Sequence, residues 1–144
     1  MTGLTAELRE FLCAGTRTAK LAFTAADGRP LVAPVWFVVE GPDDAPELLF
    51  NTGRHTAKGR AIQRDPRLAV CVDSEHPPYG FVQVQGMATW TEDTAELIRT
   101  ATAIGARYMG PERAEDFGRR NAGPGELLVR LRPTRIVAEL DIAG

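Results

Sequence analysis

A chain of 144 residues with 44% hydrophobic and 25% charged side chains has the composition of a soluble globular domain, long enough for one core and too short for two independent ones. Its formal net charge is −2, whereas a nucleic-acid binder normally gathers a basic excess on one face. Nucleic acid is therefore not an expected partner, although a local basic loop can still hold a small anion because steering follows local potential.

Leu4, Leu8, Phe11 and Leu12 fall at helical spacing in "LTAELREFLCAG", with Gly15 as a stop. This N-terminal segment carries acidic residues and no long apolar stretch, so it does not read as a secretory signal. Two β-rich runs follow, flanking Asp27-Gly28, a strong hairpin signal. The second run contains "PLVAPVWFVV", residues 30–39, about half the length of a membrane span and interrupted by Pro30 and Pro34. No membrane partner is expected, and the expected location is the cytoplasm. Cys13 and Cys71 lie far apart with no metal-ligand spacing around them, as free thiols in a reducing compartment do.

"PDDAP" at 42–46 reads as a turn and "ELLFNT" as a short strand. "AKGRAIQRD" predicts one short helix ending before Pro66, and "RLAVCVDS" alternates as a strand. After the proline-rich "EHPPYG", the segment "FVQVQGMATWT" predicts a long strand in which Gly86 marks a bulge or a close backbone approach. Residues 92–110 predict a helix capped by Thr91 or Asp93 and ended by Gly110; a second short helix starts at Pro111. "ELLVRLRPTRIVAELDI" predicts two closing strands split near Pro133.

Six antiparallel strands in hairpin order, with a helical insertion before the last pair, predict a mainly β fold: a single β-barrel domain over residues 1–144 with peripheral helices. A doubly wound α/β fold is disfavoured because helices do not alternate with the strands.

The loop "TGRHTAKGRAIQRDP", residues 52–66, holds Lys58, one of only two lysines in the chain. A helix start offers free backbone N–H groups and a partial positive charge to a phosphate, and threonine hydroxyls and the lysine add donors. The spacing is not that of a Walker loop, since the lysine precedes Gly59 instead of following it. On spacing alone the loop reads equally as a capped helix with a solvated basic face. "APVWF", residues 33–37, places Pro34 inside a strand beside Trp36, which suits either a backbone facing a flat ligand or plain core packing. His76 and Tyr79 are possible proton donors without a visible partner. His55 and His76 are the only histidines and form no metal-ligand pattern, so no metal is expected. Ser74, the single serine, lies in no nucleophile elbow.

The succession "GRPLVAPVWFVV", "LLFNTGRHTAKGRAIQRDPRLAVCVD", "PPYGFVQVQGMATW", "ARYMG" and "LLVRLRPTRI" resembles the pyridoxamine 5'-phosphate oxidase-like split β-barrel family, in particular its deazaflavin-dependent branch. The resemblance covers nearly the whole chain, and the Thr-x-x-x-Thr-x-Lys segment is its most specific part. It implies a six-stranded antiparallel split barrel that forms a homodimer with cofactor at the subunit interface. It places Pro34, Val35 and Trp36 beside an isoalloxazine-type ring, Asn51, Thr52, Thr56, Ala57 and Lys58 around the phosphate, and Arg54 within reach of the phosphate or an acidic tail. It also brings Pro78 and Tyr79 to the cofactor. Two departures bear on the cofactor. Ala57 stands where flavin mononucleotide (FMN) oxidases of the family commonly have arginine, and the chain shows no tryptophan-and-arginine C-terminal segment of the vitamin B6 oxidases. The resemblance thus implies an oxidoreductase using coenzyme F420, with FMN as the alternative cofactor and a small conjugated molecule as substrate. The same barrel also serves as a non-catalytic carrier of flavin, deazaflavin or haem.

Overall fold

Alternating apolar and polar side chains set most strands of the computed structural model, which describes residues 1–144. Helix α1 (Ala6–Cys13) is capped by Thr5, whose hydroxyl accepts from the Leu8 amide at 3.1 Å. Strands β1 (Ala19–Thr24) and β2 (Pro30–Val35) form the expected hairpin, with Gly28 at φ 88° in its turn. Next come β3 (Val38–Glu40), β4 (Glu47–Gly53), α2 (Ala57–Arg64), β5 (Arg67–Asp73) and β6 (Tyr79–Thr91). Helix α3 (Thr94–Met109) is capped by Asp93, not Thr91, and a 3₁₀ turn (Pro111–Arg113) leads into α4 (Ala114–Arg120) and β7 (Glu126–Asp141).

Seven strands, one more than the six expected, form a single antiparallel sheet in the order β2-β1-β5-β6-β7-β4-β3. Two differences from the sequence reading explain its layout. The run "PLVAPVWFVV" breaks at Trp36–Phe37, so β2 and β3 occupy opposite edges of the sheet. Three Cα steps join those edges, which is at most about 11 Å, so the sheet must curl until they meet. They do not hydrogen-bond to each other, and the barrel is open along this seam.

The other difference is that the closing segment is one continuous strand. Gln85 pairs with Arg135 and Gly86 with Pro133, leaving Thr134 as the extra residue of a bulge. Pro133, which has no N–H to give, is accommodated there. Gly86 does sit at a close approach: a Cβ on it would lie 2.2 Å from the Arg132 carbonyl oxygen.

The barrel interior is filled by Leu8, Leu12, Leu21, Phe37, Leu48, Phe50, Val72, Val82, Leu127 and Leu131, all buried. A second, small cluster of Leu49, Leu97, Ala122 and Leu128 seats α3 on the outer face of β4 and β7. No helix is long and apolar enough to cross a membrane.

Candidate functional site

Where the barrel seam, α2 and the α3–α4 pair converge, they enclose a cavity of about 290 Å³. Pro34, Val35 and Trp36 reach it from the end of β2, Asn51 from β4 and Lys58 from α2; Ala101, Ile104, Phe117 and Asn121 complete the wall from the helices. A larger cavity of about 460 Å³ lies between residues 14–20 and 73–76, but only one of its ten lining residues is hydrophobic. It offers no flat apolar wall for a ring. No group of three or more His, Cys, Asp or Glu side chains converges anywhere.

The aromatic wall is built on close helix packing. A Cβ on Gly105 would lie 2.8 Å from the Phe117 Cβ, and one on Gly118 would lie 2.1 Å from the Thr102 hydroxyl oxygen. That proximity lets α4 bring Phe117 to Trp36, with ring centroids 5.5 Å apart. On Tyr108 the indole lies nearly parallel, 4.9 Å away. Tyr108 donates its hydroxyl to the Arg17 carbonyl at 2.8 Å, and burial pushes its phenol pKa above the usual value.

Five of the residues proposed from the sequence thus meet here: Pro34, Val35, Trp36, Asn51 and Lys58. The others are elsewhere in the chain's own fold, each for a local reason. Thr52 alternates with Asn51 along β4 and is buried on the barrel side, the face it shares with Phe50. Arg54 is held by Glu92 at 2.6 Å. The Thr56 hydroxyl is consumed by capping, accepting from the Gly59 amide at 3.0 Å and donating to the Gly53 carbonyl at 2.8 Å. Ala57 is exposed on the first turn of α2. Pro78, in the β5–β6 connection, and Tyr79, the first residue of β6, are exposed; Pro78 borders a different cavity, with Glu7, Phe11 and Arg17.

Lys58 dominates the electrostatics. It is half-buried, forms no ion pair within 4.0 Å and donates no hydrogen bond within the chain. Burial lowers its ammonium pKa, and the field of Glu126 partly offsets this. Asn51 donates to the Asn121 carbonyl at 3.3 Å, yet its Oδ1 is buried without any donor. At the start of α2 the amides of Ala57 and Lys58 have no acceptor in the chain, as the geometry of a helix N-terminus requires. The site therefore combines an aromatic wall, one unpaired cation and one unsatisfied acceptor. Sequence reasoning missed Tyr108, Phe117, Asn121 and Glu126; the only local signal was the i,i+4 spacing of Phe117 and Asn121 on one helix face.

Residues 4–138 match the family described as pyridoxamine 5'-phosphate oxidase. No curated protein matches the chain. Among solved structures, the conserved hypothetical protein Rv2991 from Mycobacterium tuberculosis is similar with a TM-score of 0.81 at 23% identity, over 98% of this chain and 88% of that one. A protein described as an F420 reductase gives a TM-score of 0.67 at 23% identity, over 89% of this chain and 94% of that one. HutZ, described as the haem storage protein of Vibrio cholerae, gives a TM-score of 0.72 at 18% identity, over 99% of each chain. At these identities the solved structures establish the fold alone, whereas the sequence match spans almost every element of the barrel. The chain belongs to the pyridoxamine 5'-phosphate oxidase family.

Proposed function

We propose that the cavity holds the phosphate-bearing cofactor F420 and that the protein is an oxidoreductase transferring a hydride between this deazaflavin and a small conjugated organic molecule. Lys58 carries the reading: a half-buried ammonium with no anion of its own chain in contact, set in the wall of an aromatic-lined cavity. A cation in that position is costly unless an anion arrives to pair with it.

The residues present fit such a cofactor. Lys58 and the free amides at the start of α2 suit a phosphate. The Asn51 Oδ1 suits an N–H or O–H of the ring or its polyol chain. Pro34, Val35, Trp36 and Phe117 supply apolar surface for the ring. Within one chain the cavity, about 290 Å³, is at the lower end of the roughly 300–1,000 Å³ usual for small-molecule sites. That supports a homodimer in which a second copy completes the groove and in which Arg54, Pro78 and Tyr79 serve the partner's site.

A bound deazaflavin supplies the hydride carrier itself, and the protein supplies position, electrostatics and water exclusion. Lys58 neutralises the phosphate, Asn51 fixes the orientation of the polar chain, and the Trp36–Phe117 wall keeps water from one ring face. No carboxyl or imidazole lines the cavity, and the Tyr108 hydroxyl is committed to the Arg17 carbonyl. With Lys58 pledged to the phosphate, the substrate takes its proton from solvent or from Tyr79 of a second copy. Ala57 in place of the arginine of FMN oxidases, and the shared fold of a protein described as an F420 reductase, favour the deazaflavin over FMN.

A wall without carboxyl, imidazole or free phenol favours a second reading, a cofactor carrier without turnover. Titration with F420 and with FMN, followed by mixing the reduced complex with enones and quinones, separates these readings. Saturable F420 binding with accelerated oxidation supports the enzyme. Binding without acceleration across the panel leaves the carrier, and tight FMN binding with no F420 signal overturns the deazaflavin assignment.

A further inference from the structure

Glu126 opens β7 opposite Gly53, next to the pair formed by Asn51 and Leu128. Alternate residues of a strand share a face, and Leu128 packs with Leu49 and Leu97 beneath α3. Glu126 therefore leaves the sheet on the face that carries Asn51 and the cavity. The Arg54 amide donates to the Gly125 carbonyl at 2.7 Å, which ties this strand start to the loop that carries α2.

Like Lys58, Glu126 is half-buried and makes no ion pair within 4.0 Å and no side-chain hydrogen bond. Arg54 and Arg130, which flank it along the loop and β7, are held by Glu92 and by Glu96 and Glu47. Burial pushes the Glu126 carboxyl pKa up, and Lys58 partly offsets that push. Lys58 in the cavity wall and Glu126 behind it are thus a cation and an anion that feel each other without pairing.

We propose that Glu126 is a specificity-determining residue that selects the charge of the ligand's phosphate, so that the site favours a phosphodiester over a terminal phosphomonoester. This rests on the cofactor reading above. A phosphomonoester carries close to two negative charges above its second pKa of about 6, and a diester carries one. Lys58 attracts each of those charges and Glu126 repels each, so Glu126 removes the gain that a second charge would otherwise bring, while the heavier desolvation of the dianion still has to be met. A cofactor joined to its tail through a phosphodiester suits the pair; FMN, with a terminal phosphate, suits it less.

Three ligands with one ring test this: riboflavin, FMN and the monomethyl ester of FMN, in which only the phosphate charge differs. Affinities are measured for the wild-type chain, Glu126→Gln and Glu126→Asp, with Glu126→Ala replacing the glutamine variant if that one fails to fold. We expect Glu126→Gln to raise the FMN affinity about tenfold more than that of the methyl ester, with riboflavin unchanged. Glu126→Asp, which keeps the charge, retains the wild-type ratio. FMN and its ester shifting by the same factor in Glu126→Gln overturns the selection by charge. If the wild-type chain binds all three ligands equally, the phosphate does not meet Lys58 and the cofactor reading itself falls with the proposal.

Discussion

The indole of Trp36 lies on the phenol ring of Tyr108, with centroids 4.9 Å apart and 5° between the planes. The hydroxyl of the same tyrosine accepts from the Phe37 amide at 3.3 Å and donates to the Arg17 carbonyl at 2.8 Å. One side chain of α3 thus holds both the ring that walls the cavity and the backbone that crosses the barrel seam. Tyr108→Phe keeps the stack and removes both hydrogen bonds, so we expect a loss of about 1–2 kcal/mol in urea unfolding. Tyr108→Ala should cost more and shift the Trp36 fluorescence to the red. Wild-type stability in the phenylalanine variant would show that the hydroxyl does not pin the seam.

Arg107 acts on the same junction from the neighbouring position. Its guanidinium donates to the carbonyls of Phe37 at 2.8 Å, Leu12 at 2.7 Å and Gly15 at 3.0 Å, and it lies 4.6 Å above the Phe37 ring. A planar fork reaches three carbonyls at once; an ammonium on a flexible stem does not. Arg107→Lys is therefore expected to destabilise the protein by about 2–3 kcal/mol despite retaining the charge. Amide exchange at the end of α1 should rise in step. An unchanged midpoint would reduce Arg107 to a surface cation.

Much of this architecture is legible in the sequence, and its failures have physical causes. Local chemistry marks the hairpin at Asp27-Gly28, the cap at Asp93 and the close approach at Gly86, and the structure uses each of them. The break at Trp36–Phe37 is invisible because "PLVAPVWFVV" is continuously apolar; where such a run changes sheet edge is decided by the tertiary contacts of Tyr108 and Arg107. Pro133 looks like a strand end until the bulge at Thr134 removes the need for its N–H. At the site, Lys58 stands out in the basic loop and Asn51 comes only from the family resemblance, but Thr56 spends its hydroxyl on its own helix, a competition that spacing does not reveal. Phe117 and Asn121 come from a short helix that reads as surface until Gly105 and Gly118 let it approach α3.

Gly59 fixes how closely α2 sits on the loop before it. A Cβ there would fall 2.0 Å from the Gly53 carbonyl oxygen and 3.1 Å from the Arg54 Cα, both backbone atoms that no rotamer change can move. Gln63 reinforces the contact by donating to the Arg54 carbonyl at 3.0 Å. Alanine is a better helix former than glycine, yet Gly59→Ala should cost about 1–3 kcal/mol because overpacking outweighs propensity. It should also weaken cofactor binding, since the first turn of α2 carries Lys58. A more stable variant would show that the loop yields freely.

Lys58 is expected to separate stability from binding. Its ammonium pKa is lowered in the folded protein, chiefly by burial. The charged form is thus disfavoured by folding, a penalty present below the folded pKa and relieved as pH rises towards the unfolded value of 10.5. Lys58→Ala should accordingly leave the melting temperature of the free protein unchanged or slightly higher near neutral pH. Cofactor affinity should nevertheless fall by about 1.5–3 kcal/mol, the worth of one charge-assisted phosphate contact. The two pH profiles should differ as well. A bound phosphate favours the ammonium and raises its pKa, so wild-type affinity should decline at alkaline pH as the free protein loses that proton. The alanine variant should be flat over the same range. Equal affinities and matching pH profiles for the two proteins would return Lys58 to a half-buried cation without a ligand.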